Sequence, residues 1–165
     1  LQIKNFNPIF IPINKHGKNS RTNLSYIDSL YASNKCIILF PAGMVSRRQK
    51  HKKISDLEWK KSFITKSIKH KRDVIPVYIS GNNSKKFYNI AYWRKKIGIK
   101  ANIEMLFLAD EMFKQKGNTI IFNFGKPIPW STFNNSIDKF TWAQKVKKFV
   151  YTLKENNQNT FSDKI

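Results

Sequence analysis

The sequence has few acidic residues, a single cysteine and no long apolar run. Of its 165 residues, 31 are Lys or Arg and only 10 are Asp or Glu, which gives a formal net charge of +21 at pH 7. Cys36 has no partner in the chain, so a framework of intrachain disulfides is excluded and a reducing compartment is expected. In the residues shown, no apolar run reaches the ~18 residues that a membrane-spanning helix requires.

The apolar content indicates a folded domain. Hydrophobic residues make up 41% and aromatic residues 14% of the chain, which is too much for a disordered segment. The length suits one domain with a real core, and we find neither an internal repeat nor an interdomain linker. The chain begins with Leu1 rather than Met, so we expect residues 1–155 to be the C-terminal portion of a single domain. The Asn-rich residues 156–165 are predicted to form a frayed tail.

The positive charge is concentrated in the middle of the chain. Residues 41–100 hold 17 of the 31 basic residues but only 3 of the 10 acidic ones. Such a surface favours a polyanion, namely nucleic acid, anionic lipid headgroups or an acidic carrier protein. Charge alone does not choose among these partners, and part of the excess reflects a composition rich in Lys, Asn and Ile throughout.

Apolar runs and helical periodicity alternate along the chain. The predicted strands are residues 8–13, 35–40, 74–79 and 119–124, and the predicted helices are residues 20–32, 56–71, 84–97, 102–113 and 140–153. A turn is predicted at residues 17–20 and a basic loop at residues 41–55. This alternation predicts an α/β fold with a mostly parallel central sheet flanked by helices. The continuous apolar strands indicate burial on both faces of that sheet.

The most informative segment is the turn at residues 40–48, which follows the apolar run 36–39. Gly43 allows unusual backbone dihedrals and a close approach to a ligand. Ser46 can donate a hydrogen bond, and Arg47 or Arg48 can grip a phosphate or carboxylate with two parallel bonds. In a parallel sheet, ligands bind beyond the carboxyl ends of the strands, where this turn is expected. The alternative is an ordinary turn. The predicted binding residues are Phe40, Pro41, Ala42, Gly43, Ser46, Arg47 and Arg48.

These residues also carry a family resemblance. The turn FPAGMVSRR resembles the phosphate-binding block of the glycerolipid acyltransferases, the lysophosphatidic-acid-acyltransferase-like family, which usually contains Phe-Pro-Glu-Gly-Thr-Arg-Ser. Residues 74–79 (VIPVYI) resemble the family's Val-Pro-Val strand block, and residues 9–13 resemble its upstream apolar block. The hemolysin-like bacterial branch is most similar, because its turn is followed in the same order by stretches like residues 56–60, 83–88 and 124–128.

The resemblance implies a lipid acyltransferase, of which this chain is the C-terminal portion. Such an enzyme moves a fatty acyl group from acyl carrier protein or acyl-CoA to a hydroxyl of a lyso-lipid at an anionic membrane surface. The turn would hold the anionic head of the acceptor. No cofactor besides the thioester co-substrate and no metal is implied. The resemblance further implies a location at the cytoplasmic face of the inner membrane, peripheral or anchored by a segment outside this chain.

Two features depart from the family pattern. Its catalytic motif is a His that removes the acceptor's proton, oriented by a following Asp. Four positions after the three histidines stand Ser20, Ser55 and Val74, so we predict no catalytic residue in this chain and a dyad upstream of Leu1. The second departure is Ala42, where the wider family has Glu. It indicates an acceptor other than a simple glycerol phosphate.

Other sequence features leave two alternatives open. Aromatic residues interleaved with basic charge also suit a nucleic-acid-binding module, although no RNP, helix-turn-helix or zinc-finger pattern is present and nucleic acid is the less favoured partner. A non-catalytic lipid-binding relative is the other alternative.

The basic residues 47–53 suit lipid headgroups, a carrier protein or plain solvation. The four aromatic residues Phe87, Tyr88, Tyr92 and Trp93 are predicted to form a patch suited to a membrane interface. The alternative is that some of these rings pack in the core.

Overall fold

The computed structural model describes residues 10, 21–49, 53–156 and 158–162. Helices and short strands alternate in these residues, so the predicted α/β class is confirmed. The elements in chain order are α1 Arg21–Ala32, β1 Arg47–Arg48, β2 Ile54–Ser55, α2 Ser62–His70, β3 Val77–Ile79, α3 Lys85–Lys96, α4 Leu108–Phe113, β4 Phe122–Phe124 and α5 Lys139–Thr152. Two 3₁₀ helices, Ile103–Phe107 and Trp130–Thr132, precede α4 and follow β4.

The strands pair in an arrangement that the sequence did not predict. Strands β1 and β2 are antiparallel, as are β3 and β4, where Val77 lies opposite Phe124. An antiparallel bridge between Val74 and Ile128 extends the second pair. The prediction of a mostly parallel central sheet is therefore not met in the described residues. Alternating elements give an order but not a strand direction, and the excursion through α3 and α4 returns the chain antiparallel to β3.

The prediction of a buried strand at residues 35–40 is wrong. These residues adopt no strand, and the side chains of Ile38 and Phe40 are 81% and 71% exposed. An apolar run indicates that a segment can be buried, but it does not supply the neighbouring strand. The guanidinium of Arg72 holds the start of the segment by donating to the carbonyls of Ser33 (2.9 Å) and Lys35 (2.7 Å). The predicted strand 8–13 and turn 17–20 lie outside the described residues, apart from Phe10.

The helix boundaries follow from local hydrogen bonding. Helix α3 begins after Ser84, whose hydroxyl accepts a hydrogen bond from the backbone N–H three positions later. Helix α5 begins after Asp138, whose carboxylate accepts hydrogen bonds from the backbone N–H groups two and three positions later. The predicted helix 56–71 begins only at Ser62. Its first residues are engaged elsewhere, because the Gln144 side chain pairs with both the N–H (3.2 Å) and the carbonyl (2.7 Å) of Trp59.

The main core lies between α2 and α5. Its fully buried members include Ile64, Trp142, Phe149 and Leu153, and the turn after the β3–β4 pair closes it with Ile128 and Phe133. Phe161, in the segment predicted to be a tail, lies against Phe149 with ring centroids 5.4 Å apart. A smaller buried group joins α3 to the 3₁₀ helix that precedes α4, and the turn at residues 40–48 lies against it. The members of this group are Arg47, Phe87, Tyr88, Ala91 and Glu104.

Candidate functional site

The turn at residues 40–48 folds around Gly43. The N–H of Gly43 donates to the carbonyl of Phe40 at 3.0 Å, and its φ of +67° lies in the left-handed region that glycine adopts without strain. The next part of the chain is tied to it, since the N–H of Lys60 donates to the Pro41 carbonyl at 3.1 Å. A Cβ placed on Gly43 would lie 3.7 Å from the Lys60 ammonium. A cation therefore sits directly beside the turn's backbone.

A pocket of about 970 Å³ opens next to this turn. Its size falls in the range of small-molecule sites. Its wall is mixed, with apolar side chains, two amides, two acids and two lysines. The lining residues are Ala42, Gly43, Met44, Gln49, Ser55, Asp56, Leu57, Glu58, Lys60, Asn102, Met105 and Lys147. Of the predicted binding residues, Ala42 and Gly43 line the pocket.

Arg47 is buried and its guanidinium is engaged within the protein. It donates to Glu104 at 2.8 Å and to the Val45 carbonyl at 2.9 Å, and it lies 5.3 Å above the centre of the Phe87 ring. Burial lowers the pKa of Arg47 from its ordinary value, and the carboxylate of Glu104 opposes that shift. Arg47 thus holds the turn in place, and its binding of a ligand stays a prediction.

Glu104 is the residue that sequence reasoning missed. It is fully buried, and its two oxygens accept bonds from Arg47 and from Nε of Arg94 (2.7 Å). Arg94 in turn donates to Asn102 Oδ1 at 2.8 Å. Through these bonds the turn, α3 and the 3₁₀ helix are joined at one carboxylate. The feature of the sequence that could have identified Glu104 is its position as a single acidic residue within the apolar stretch 103–107.

Ser46 also makes its hydrogen bond inside the protein. Its hydroxyl donates to Oδ1 of Asp56 at 2.6 Å, and the indole N–H of Trp59 donates to Oδ2 at 3.0 Å. The N–H of Asp56 donates to the Tyr151 hydroxyl at 2.8 Å, and the Lys147 ammonium donates to the Asp56 carbonyl at 2.7 Å. Burial raises the pKa of Tyr151 and lowers that of Lys147. This network fixes one end of the turn on α5.

Arg48 differs from Arg47 in having an uncommitted donor. Its Nε is buried and has no hydrogen-bond partner among the described residues. The remaining predicted residues lie on either side of the turn, with Phe40 exposed and Ala42 half-buried against the core. Arg48 does not line the pocket, so Lys60 is the better-placed cation for an anionic ligand there, and the binding of a ligand by Arg48 stays a prediction.

The predicted aromatic patch is divided between core and surface. Phe87 and Tyr88 are buried, whereas Tyr92 and Trp93 are exposed. Core packing thus accounts for two of the four rings.

Comparison with known proteins places this arrangement in a family. A family model described as "Acyltransferase" matches residues 1–160. The chain belongs to this acyltransferase family. No solved structure matches it significantly.

Two relatives are similar over most of the chain. A lyso-glycine lipid O-acyltransferase of Bacteroides thetaiotaomicron is 49% identical over 153 residues, covering 93% of this chain and 56% of the relative. A lyso-glycine lipid O-acyltransferase of Phocaeicola vulgatus is 51% identical over 146 residues, covering 88% of this chain and 52% of the relative. The chain therefore spans about half the length of the curated relatives it matches.

The family resemblance implies the catalytic motif His-x4-Asp, and this chain has one pair of residues with that spacing. His-x4-Asp places the Asp five positions after the His, one more than the four positions counted above, and His51 and Asp56 have that spacing. His51 lies outside the described residues. Both Asp56 oxygens already accept bonds, from Ser46 and Trp59, which gives this carboxylate a structural task. A dyad upstream of Leu1 stays a prediction.

The described residues contain no group of three or more His, Cys, Asp or Glu side chains arranged to hold a metal ion. Among their helices, none combines the length and the apolar character that crossing a bilayer requires.

Proposed function

We propose that the whole protein transfers a fatty acyl group from a thioester to a hydroxyl of a lyso-lipid. The observation that carries this proposal is the sequence identity of 49% and 51% to two lyso-glycine lipid O-acyltransferases over most of the chain. The pocket beside the Gly43 turn supports it, because it offers space for a small head group next to cations.

The first acceptor to expect is a lyso-lipid with a glycine head. A glycine acylated on its nitrogen presents a carboxylate, which the Lys60 ammonium beside the turn suits. Ala42 adds no negative charge to the pocket wall, which favours an anionic head.

In the proposed reaction a histidine, expected outside this chain, removes the proton from the acceptor hydroxyl. The resulting oxygen nucleophile attacks the thioester carbonyl, the C–S bond breaks, and the thiol of CoA or acyl carrier protein leaves with a proton. This chain's residues hold the head group and orient the acceptor. We place the protein at the cytoplasmic face of the inner membrane, peripheral or anchored by a segment outside this chain.

The test uses the full-length protein with acyl-CoA or acyl carrier protein thioesters and with lyso-glycine lipid or lysophosphatidic acid. We expect transfer to the lyso-glycine lipid. The variant Lys60→Ala should raise the KM for the acceptor about tenfold, the size of a lost hydrogen bond to a charged group. Lys61→Ala, an exposed neighbour that does not line the pocket, is the matched control. Absence of transfer from either donor to either acceptor would contradict the proposed function.

A further inference from the structure

Helix α3 and the 3₁₀ helix that follows it expose large apolar side chains on adjoining surfaces. The exposed fractions are 54% for Trp93, 67% for Ile97, 39% for Ile103 and 83% for Leu106. We call these four side chains the apolar face. A shallow groove of about 550 Å³ runs between the two helices and is lined by the first three of them. An exposed apolar cluster of this kind marks a surface that contacts something other than water.

The 3₁₀ helix connects the apolar face to the pocket. With three residues per turn, its side chains at positions i and i+3 lie in one row. Ile103 and Leu106 occupy one row, and Asn102 and Met105, which line the pocket beside Gly43, occupy the next. Glu104 occupies the third row, where its bonds to the two arginines fix the helix in this orientation. The apolar face and the pocket therefore lie on adjacent sides of one short, firmly held helix.

Exposed lysines surround the apolar face. The Lys96 ammonium lies 4.9 Å from the centre of the Trp93 ring, and that of Lys86 lies 5.4 Å from the Phe107 ring. Lys95 and Lys100 are also exposed. Within the described residues none of these four lysines pairs with an acidic side chain, and the one acid in residues 84–107 is the buried Glu104. The positive field around the face is therefore uncompensated.

We propose that the apolar face and its four lysines are the surface by which this protein docks on an anionic lipid bilayer. Exposed Leu and Ile enter the acyl-chain boundary, a Trp ring lies at headgroup depth, and lysines bind anionic headgroups. The most exposed members, Ile97 and Leu106, are aliphatic, which suits acyl chains better than the stacked bases of a nucleic acid. One consequence is that the acceptor reaches the adjacent pocket directly from the bilayer. This consequence rests on the proposed function.

The first experiment measures sedimentation of the full-length protein with phosphatidylcholine vesicles, with and without phosphatidylglycerol. We expect binding to the anionic vesicles, weakened about tenfold or more by Leu106→Asp, because a charge replaces a Leu that enters the bilayer. The control is Phe140→Asp, which introduces the same charge at a side chain on α5 that is 40% exposed, and its binding should be unchanged. Leu106 is mostly solvent-exposed, so the unfolding midpoint of the variant should match that of the unmodified protein.

A second variant tests the lysines separately. The triple exchange Lys95→Gln, Lys96→Gln and Lys100→Gln should weaken binding to the anionic vesicles about fivefold for each lysine removed. Its binding to pure phosphatidylcholine should not change, and added salt should weaken the unmodified protein more than this variant.

Transfer assays separate this proposal from the proposed function. Leu106→Asp should lose activity on acceptor embedded in vesicles and retain it on detergent-dispersed acceptor. Unchanged vesicle binding by both variants overturns the docking surface, even if the protein transfers acyl groups. Vesicle binding that depends on Leu106, without any transfer by the unmodified protein, supports the surface and contradicts the function. Binding of single-stranded DNA or of acyl carrier protein that Leu106→Asp abolishes, with vesicle binding intact, also overturns it.

Discussion

Helices α2 and α5 meet through apolar side chains, whereas α3 and the 3₁₀ helix before α4 meet around charged ones. In the first region Trp142, Phe149 and Leu153 are fully buried. In the second, the buried side chains include Glu104 and Glu111, while large apolar side chains such as Leu106 face solvent. The first region therefore follows the ordinary rule for a folded domain, in which apolar side chains are buried and charged ones are exposed. The second region partly inverts this rule.

This difference indicates a division of tasks. Apolar packing stabilises the α2–α5 region without directional bonds, because the hydrophobic effect is non-directional. A buried ion pair gains little net free energy after its desolvation, but its geometry is fixed. In the α3 region it sets the distance between the Gly43 turn and the proposed docking surface. Glu111 acts in a similar way, since its carboxylate accepts bonds from the N–H and hydroxyl of Ser84 at the start of α3.

The largest effect is expected in the apolar region. Phe149→Ala removes a fully buried ring from the centre of the core, which should lower the free energy of unfolding by about 3–5 kcal/mol. Urea unfolding of the full-length protein measures this loss. Phe140→Ala, on the same helix but partly exposed, is the control and should cost much less. Equal losses for the two variants would mean that α5 does not form the core.

A somewhat smaller effect is expected in the charged region. Glu104→Ala leaves the guanidiniums of Arg47 and Arg94 without their counter-ion, which should cost about 3 kcal/mol. It should also raise the KM for the acceptor, because the turn loses its link to the 3₁₀ helix. Phe149→Ala, in contrast, should leave that KM unchanged wherever the protein remains folded.

The control for this exchange is Glu155→Ala, at an exposed carboxylate beyond α5. If both variants unfold at the same urea concentration and share one KM, the buried carboxylate does not organise the site. The contrast between the two regions would then be lost.

Sequence reasoning succeeded where the signal was local. The amphipathic pattern predicted α5, and the helix predicted at residues 84–97 corresponds to α3, because helical periodicity depends on residues a few positions apart. It failed where partners are distant. Arg47 and Glu104 are separated by 57 positions, so their buried ion pair was not predicted, while the binding of a ligand by Arg47 stays a prediction. Strand direction in the β3–β4 pair was missed for the same reason.

The smallest effect is expected at the surface joint between α1 and α2, where charged side chains connect α1 to a helix of the first region. Asp28 on α1 accepts hydrogen bonds from Lys66, His70 and Lys69 on α2. These bonds, that from Lys66 foremost, hold the pKa of Asp28 well below its usual value. The lowered pKa means that the joint is fully stabilised above the ordinary Asp pKa of about 4 and weakens only as the pH falls below it.

Asp28→Asn should therefore flatten the acid limb of a stability–pH curve and leave stability near neutral pH only slightly reduced, since the ion pairs are partly exposed to solvent. Amide hydrogen exchange of α1, measured in the full-length protein from neutral to strongly acidic pH, reports this joint directly. Asp110→Asn, which changes an exposed carboxylate on α4, serves as the control and should leave the exchange of α1 unaltered. An acid limb as steep in Asp28→Asn as in the unmodified protein would assign the acid sensitivity of α1 to other carboxylates. The joint would then be a contact between helices whose strength does not depend on the charge of Asp28.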